Sequence, residues 1–435
     1  MLLKSRRRAS ASVAMTANGR ASAAATTFAS VEAQPARLQA ALIKVTETLA
    51  YELAKPTESA PDWSQFEWHI GRAVAAMHGV SPLLATGLRW RGPAAWVQFL
   101  KQQRAHTAQR HQRIEALLED IDRRACQAGI PVLALKGAAL HAAGVYQAGE
   151  RPMADVDLLV RPQDSVETVT LLQSMGYHET RYAVRDREFC PVKPRIPSEL
   201  GEHADNDVKI ELHERISEAL PLCKTDITEA VFPKQSRPGL NPYPSTASLM
   251  LHLLLHACGS MVSRSLRLIQ LHDVAALALK MNKDDWEEFR PYDAGEKRLW
   301  WVFPALHLVS RYYAGYIPAT PLADSFARCP SLLSRVSRKH TLSDVSLSHL
   351  WVDALPGIEW SQSVGEMLRY AGERIRPSAD HISERKRVAN TEPWASRAEW
   401  TRLSQNGRIL RWIFTQPVRT RTMHMVRTVL GQLDD

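Results

Sequence analysis

The chain has 435 residues, 45% hydrophobic and 23% charged, which is enough for two or three globular domains with real cores and excludes a disordered or fibrous protein. Five cysteines, Cys126, Cys190, Cys223, Cys258 and Cys329, are scattered and never form a C-x-x-C pair, which argues against a disulfide framework or cysteine-bound zinc and fits a reducing cytoplasm. The net charge of +9 is unevenly placed: residues 1–31 carry Lys4, Arg6, Arg7, Arg8 and Arg20 with no acid, leaving +4 for the rest.

In chain order, residues 1–35 read as a disordered tail, rich in alanine and serine but without the apolar core of a secretory signal. Residues 36–129 read as a helical region, with Leu38, Leu42, Val45 and Leu49, and later Ile114, Leu117, Leu118 and Ile121, at helical spacing. From 130 to 232 the texture changes to short β-type runs at Val132–Leu135, Val156–Val160 and Val208–Leu212, with a helix expected over Asp164–Met175. A Pro- and Gly-bearing stretch, Pro233 to Pro244, reads as a linker, and residues 245–435 as a second helical domain. The expected class is α+β, a small mixed β-sheet flanked by N-terminal and C-terminal helical regions. The most apolar stretch, Ala247 to Cys258, is interrupted by His252 and His256 and falls short of the roughly 20 residues that span a bilayer, so it reads as a core helix and no membrane partner is expected. The two histidines, four apart, are expected to pack or hydrogen-bond rather than bind zinc, because no third ligand is apparent. The basic run from Arg385 to Arg427 reads as a solvated helix face, with a nucleic-acid surface possible but not favoured.

The chemistry concentrates in the middle block. In Pro131-Val-Leu-Ala-Leu-Lys136-Gly137-Ala138, an apolar strand runs into Lys-Gly and then helix-forming sequence. Glycine lets backbone approach a ligand, helix-terminal N–H groups attract anions, and Lys136 adds a full charge. Downstream, Arg151-Pro-Met-Ala-Asp155-Val-Asp157-Leu-Leu-Val160 carries a D-x-D pair at the start of an apolar strand. Strand alternation points Asp155 and Asp157 to one face, about 7 Å apart, where they can flank a divalent cation whose charge keeps both ionised. A third strand, Val208-Lys209-Ile210-Glu211-Leu212-His213, puts Lys209, Glu211 and His213 on one face, so Glu211 could complete a metal site or accept a proton from an attacking hydroxyl. Alone, each segment has a plain structural reading: a steric glycine, a surface turn, a half-buried strand. Their order and spacing give the functional reading its weight.

This order of strand, glycine turn, helix, D-x-D strand, helix and acidic strand resembles the DNA polymerase beta nucleotidyltransferase superfamily. More narrowly, Ala76-Met-His-Gly-Val-Ser-Pro82, Gly129 to Leu140, Arg151 to Val160 with Gly176-Tyr177, and Ile210-Glu-Leu-His213 resemble a bacterial family often labelled nucleotidyltransferase family protein; the likeness spans roughly residues 60 to 415. The resemblance implies a nucleotidyltransferase core over 130–232. It also implies two-metal transfer of a nucleoside monophosphate from a nucleoside triphosphate to an unknown acceptor, with pyrophosphate released and Mg2+ or Mn2+ as cofactor. It assigns Asp155 and Asp157 to metal, Glu211 to the third acid, and Lys136, Gly137 and Ala138 to the nucleotide; Arg151, His213 and Arg267 would support them. The sequence departs at Ala138, where glycine or serine is usual, and in a long gap to Asp155. Two other classes remain open: a non-catalytic descendant that binds nucleotide or a partner, and a nucleic-acid-binding module using the basic C-terminal face.

Overall fold

The computed structural model of the chain describes residues 34–182, 186–192, 201–289, 299–379, 382–383, 385–386, 400 and 403–431. Residues 1–33 of the expected tail, and 387–399 and 401–402 of the Arg385–Arg427 run, lie outside the described residues. Helices α1 (Pro35–Ala54), α2 (Gln65–Met77), α3 (Ser81–Gly87) and α4 (Ala94–Ala128) form the first block. Ser64 caps α2 in a reciprocal box with Glu67, and Gly129, at φ +75°, ends α4 in the left-handed conformation that glycine adopts without penalty.

Next come β1 (Pro131–Ala134), α5 (Lys136–Ala142), β2 (Asp155–Leu159), α6 (Ser165–Ser174), β3 (Tyr177–Tyr182), β4 (Asp186–Pro191) and β5 (Lys209–His213). A small ribbon of β6 (Ser217–Ala219) and β7 (Lys224–Asp226), helix α7 (Thr228–Val231) and β8 (Gly239–Asn241) complete the middle. The six-stranded sheet has the order β3-β4-β5-β2-β1-β8. Strand β2 runs parallel to β5 and antiparallel to β1, so the fold is α+β with a mixed sheet, as expected. The stretch expected as a linker contributes β8, which pairs in parallel with β1 and fixes the sheet edge.

The sheet separates two cores. Val132, Val156, Leu158, Val160, Ile210 and Leu212 face α4 and α6, packing with Ile114, Ile121, Val169 and Leu172. Leu133, Leu135 and Leu159 face the other way, into a larger core built with α8 (Thr246–Val262) and α9 (Leu268–Ala278). By the period-2 rule Asp155 and Asp157 share the Leu159 face and look toward that helical wall. The N-terminal and C-terminal helical regions share this larger core: α1 and α2 residues pack in one cluster with α8, α9 and Met423, Val426 and Val429 of the C-terminal helix Thr420–Gly431. Four tryptophans, Trp63, Trp68, Trp90 and Trp96, interlock in it, Trp63 lying edge-on to Trp68 at 4.8 Å.

Candidate metal and nucleotide site

Parallel pairing of β2 with β5 sets Asp157 opposite Glu211 and Leu159 opposite His213. The side chains that result form one cluster: Asp157, Glu211 and His213 each offer a ligand atom, and these atoms all lie within 4.8 Å of one another. His213 Nε2 stands 3.0 Å from Asp157 Oδ1 and 3.8 Å from Glu211 Oε2. Lys136 Nζ donates to the same Asp157 oxygen at 2.7 Å. Arg181 lies 3.7 Å from the other Glu211 oxygen. Asp155, the partly exposed member of the D-x-D pair, is not one of the three. Two carboxylates and an imidazole at this spacing are a donor set that fits one divalent cation.

The charges in the cluster are strongly interdependent. Burial acts to raise the Asp157 carboxyl, but the Lys136 ammonium and the His213 bond outweigh it and hold this group well below the usual carboxylate range. Asp155 goes the other way: burial first and the Asp157 charge second push it up, against Lys136, Arg267 and Arg151. Burial also works to deprotonate Lys136, yet Asp157, Asp155 and Glu211 together lift it above free lysine. Lys136 sits at φ +47°, in the left-handed region that non-glycine residues rarely occupy, so the backbone that aims this ammonium at Asp157 is strained.

Arg110 of α4, missed by sequence reasoning, holds the strand that carries the acids. It is 2% exposed, donates to the carbonyls of Met153, Ala154 and Asp207, and pairs with Glu202, tying together the entries to β2 and β5. Its position on a long amphipathic helix gave no signal of this. Arg151 does not reach the acids: it forms a bidentate pair with Asp273 of α9 at 2.8 and 2.7 Å, and Tyr146 donates to the same carboxylate. Arg267 caps the start of α9, where it bonds the Met77 carbonyl and closes over Gly79 of the M-H-G-V motif. Burial, then the neighbouring Arg421 charge, lowers its pKa.

The expected phosphate turn is built differently from its expected form. A Cβ on Gly137 would meet Arg151 Nη1 at 2.1 Å and Met153 Cγ at 2.8 Å, so the glycine makes room for protein side chains. Ala138 N–H already donates to the Leu135 carbonyl, and its side chain is buried in the core beneath the sheet.

A cleft of ≈ 600 Å³, counting the solvent in its mouth, opens beside the cluster and is lined by Lys136, Glu211, His213, Arg215, His252 and His256, among others. The α8 histidines thus face the same space as Glu211. His252 bonds the Tyr243 hydroxyl at 2.7 Å, in keeping with the expectation of hydrogen bonding. Burial, with help from Lys136, drops its pKa to about 3, and the same causes keep His256 well below its ordinary value, so both rings are neutral near pH 7. All five cysteines are free, and no helix among the described residues is long and apolar enough to cross a membrane.

In class, this is an α+β protein whose sheet gathers acids, an imidazole and a lysine at one cleft. The chain belongs to the family described as uncharacterised nucleotidyltransferase, whose model matches residues 64–314, more than half its length. No curated protein and no solved structure matches it.

Proposed function

We propose that the chain transfers a nucleoside monophosphate from a nucleoside triphosphate to an acceptor hydroxyl or amine, using Asp157, Glu211 and Asp155 around divalent metal. The observation that carries this reading is the pairing of Asp157 with Glu211 on adjacent parallel strands, where Glu211 and Lys136 line a cleft. The acceptor oxygen or nitrogen attacks the α-phosphorus, the bond to the β-phosphate oxygen breaks, and pyrophosphate leaves with the electron pair. In this reading Glu211 takes the acceptor's proton and Lys136 holds the triphosphate by charge. Bound cations would polarise the phosphoryl oxygens and neutralise charge on the leaving group. Asp157 keeps its charge because Lys136 and His213 favour the ionised form.

A second reading has one observation in its favour. Lys136 is paired with Asp157, Gly137 is covered by Arg151 and Met153, and Ala138 N–H is engaged, so the groups expected at the phosphate are occupied within the protein. A chain that binds nucleotide or a partner without transfer would fit that arrangement. Screening the purified protein with each of the four triphosphates, Mg2+ or Mn2+, and candidate acceptors for pyrophosphate release separates the two. Transfer that Glu211→Gln reduces by about 10²–10⁴-fold, the worth of a proton acceptor, is the expected result. Metal-dependent triphosphate binding with no turnover under any acceptor would favour the second reading.

A further inference from the structure

We infer that His213 is a nitrogen ligand of the cation held by Asp157 and Glu211, so that the site selects a manganese-class ion over magnesium. The inference rests on the proposed metal-dependent function only in taking this cluster as the cation site.

Three observations support it. Around an ion with bonds of about 2.1 Å, neighbouring ligands sit roughly 3 Å apart and opposite ones roughly 4.2 Å. The separations of Nε2 from Asp157 Oδ1 and Glu211 Oε2, 3.0 and 3.8 Å, fall within that range for a single ion. The ring is also rigidly carried: His213 ends β5 in register with Leu159, and its carbonyl accepts from Val160 N–H at 3.0 Å. Finally, the residue is buried, 8% exposed, yet its ring lines the cleft, so an ion arriving there meets imidazole as well as carboxylate.

Chemistry then sets the preference. Magnesium favours oxygen donors and dehydrates reluctantly, whereas imidazole nitrogen binds later first-row ions more strongly, in the order Mn2+ < Co2+ < Ni2+. As the structure stands, Nε2–H donates to the ionised Asp157. Ligation requires a free lone pair on Nε2, which the tautomer carrying its ring proton on Nδ1 supplies.

The test uses the full chain with Mn2+ and Mg2+ alone, without nucleotide. Calorimetry gives the two affinities, and pulsed electron paramagnetic resonance of bound Mn2+ reports whether nitrogen is coordinated. The wild type should show nitrogen modulation that disappears in His213→Gln. Mn2+ affinity should fall by at least the about 10–100-fold that loss of a ligand's supporting partner costs, with Mg2+ affinity changing much less. His213→Glu guards against a variant that merely fails to fold: an all-oxygen set should still bind, with the Mn2+ over Mg2+ preference reduced. Absence of nitrogen modulation in the wild type, an unchanged ratio of affinities in both variants, or no binding of either ion overturns the inference. Nucleotidyl transfer is assayed separately. Turnover without nitrogen coordination refutes this inference alone, and nitrogen coordination without turnover refutes only the proposed function.

Discussion

Gly137→Ala separates a packing role from a ligand-approach role at the turn before α5. The added methyl carbon would lie 2.1 Å from Arg151 Nη1, 2.8 Å from Met153 Cγ and 2.9 Å from its sulfur. A free arginine tip would swing away cheaply, but this one is fixed by two bonds to Asp273, which is 2% exposed. Overpacking costs about 1–3 kcal/mol, against a helix-propensity gain of at most about 1 kcal/mol. Severing the buried pair adds up to about 3–5 kcal/mol, and partial displacement gives an expected net loss of about 2–4 kcal/mol. Urea unfolding should show this as a lower midpoint at unchanged slope. The double variant Gly137→Ala/Arg151→Ala should be less destabilised than the two single changes combined, by about 1 kcal/mol or more, because the main clash is gone. Full additivity, or a stabilised Gly137→Ala, would refute the packing argument and return the glycine to a role at the ligand.

Two further outcomes follow from the same geometry. Because Lys136 Nζ occupies Asp157 Oδ1, Lys136→Met should tighten binding of Mn2+ alone while weakening triphosphate binding, measured by paired calorimetric titrations; weaker metal binding would show that the lysine does not compete. His78 should make the protein acid-sensitive. Its Nδ1 accepts from Leu268 N–H and its Nε2 meets Ser348 Oγ, while burial first and Arg267 second lower its pKa to about 3. Its contribution is intact above about pH 6.5, where both states are neutral. It is lost at up to about 1.4 kcal/mol per pH unit as the unfolded chain alone takes a proton on the way down to pH 3. Urea midpoints measured from pH 7 to 4 should fall more gently in His78→Gln, and parallel curves would sink the assignment.

The parts legible in sequence were those with a strong local period. Val132–Leu135, Val156–Val160 and Val208–Leu212 became β1, β2 and β5 to within a residue or so, and Asp164–Met175 became Ser165–Ser174, because apolar alternation and helical spacing are written within each segment. Alternation also put Glu211 and His213 on a common face, since Ile210 and Leu212 are buried on the other. The β3–β4 hairpin was missed because Tyr-His-Glu-Thr-Arg and Asp-Arg-Glu-Phe carry too many charges to read as strands; cross-strand pairs such as Glu179 with Arg187 satisfy those charges only once folded. Strand β8 was missed because three residues between prolines carry no period, and its pairing with β1 is a long-range event. The Arg151–Asp273 pair joins positions 122 apart, and the left-handed Lys136 is strain imposed by the fold, so neither leaves a local trace.

The two aspartates of the D-x-D pair should respond oppositely in stability to the same substitution. Asp157 is 6% exposed and pairs with Lys136 and His213, so Asp157→Asn removes the largest of the negative charges acting on the Lys136 ammonium. Breaking a buried pair from one side costs about 3–5 kcal/mol, and this variant should melt well below the wild type. Asp155 is in the reverse position, because burial and the Asp157 charge already disfavour its ionised form. An isosteric amide removes that repulsion, so Asp155→Asn should melt at or above the wild-type temperature when no metal is added. With Mn2+ and triphosphate present the order should change, since ligand stabilises only what it binds, and the Asp155→Asn protein should gain less than the wild type if its carboxylate helps to hold metal. Melting curves of the three proteins, with and without ligands, carry the whole comparison. Equal ligand-induced shifts in the wild type and Asp155→Asn would remove Asp155 from the metal site, and an Asp157→Asn protein as stable as the wild type would show that the Lys136–Asp157–His213 cluster does not hold the native sheet together.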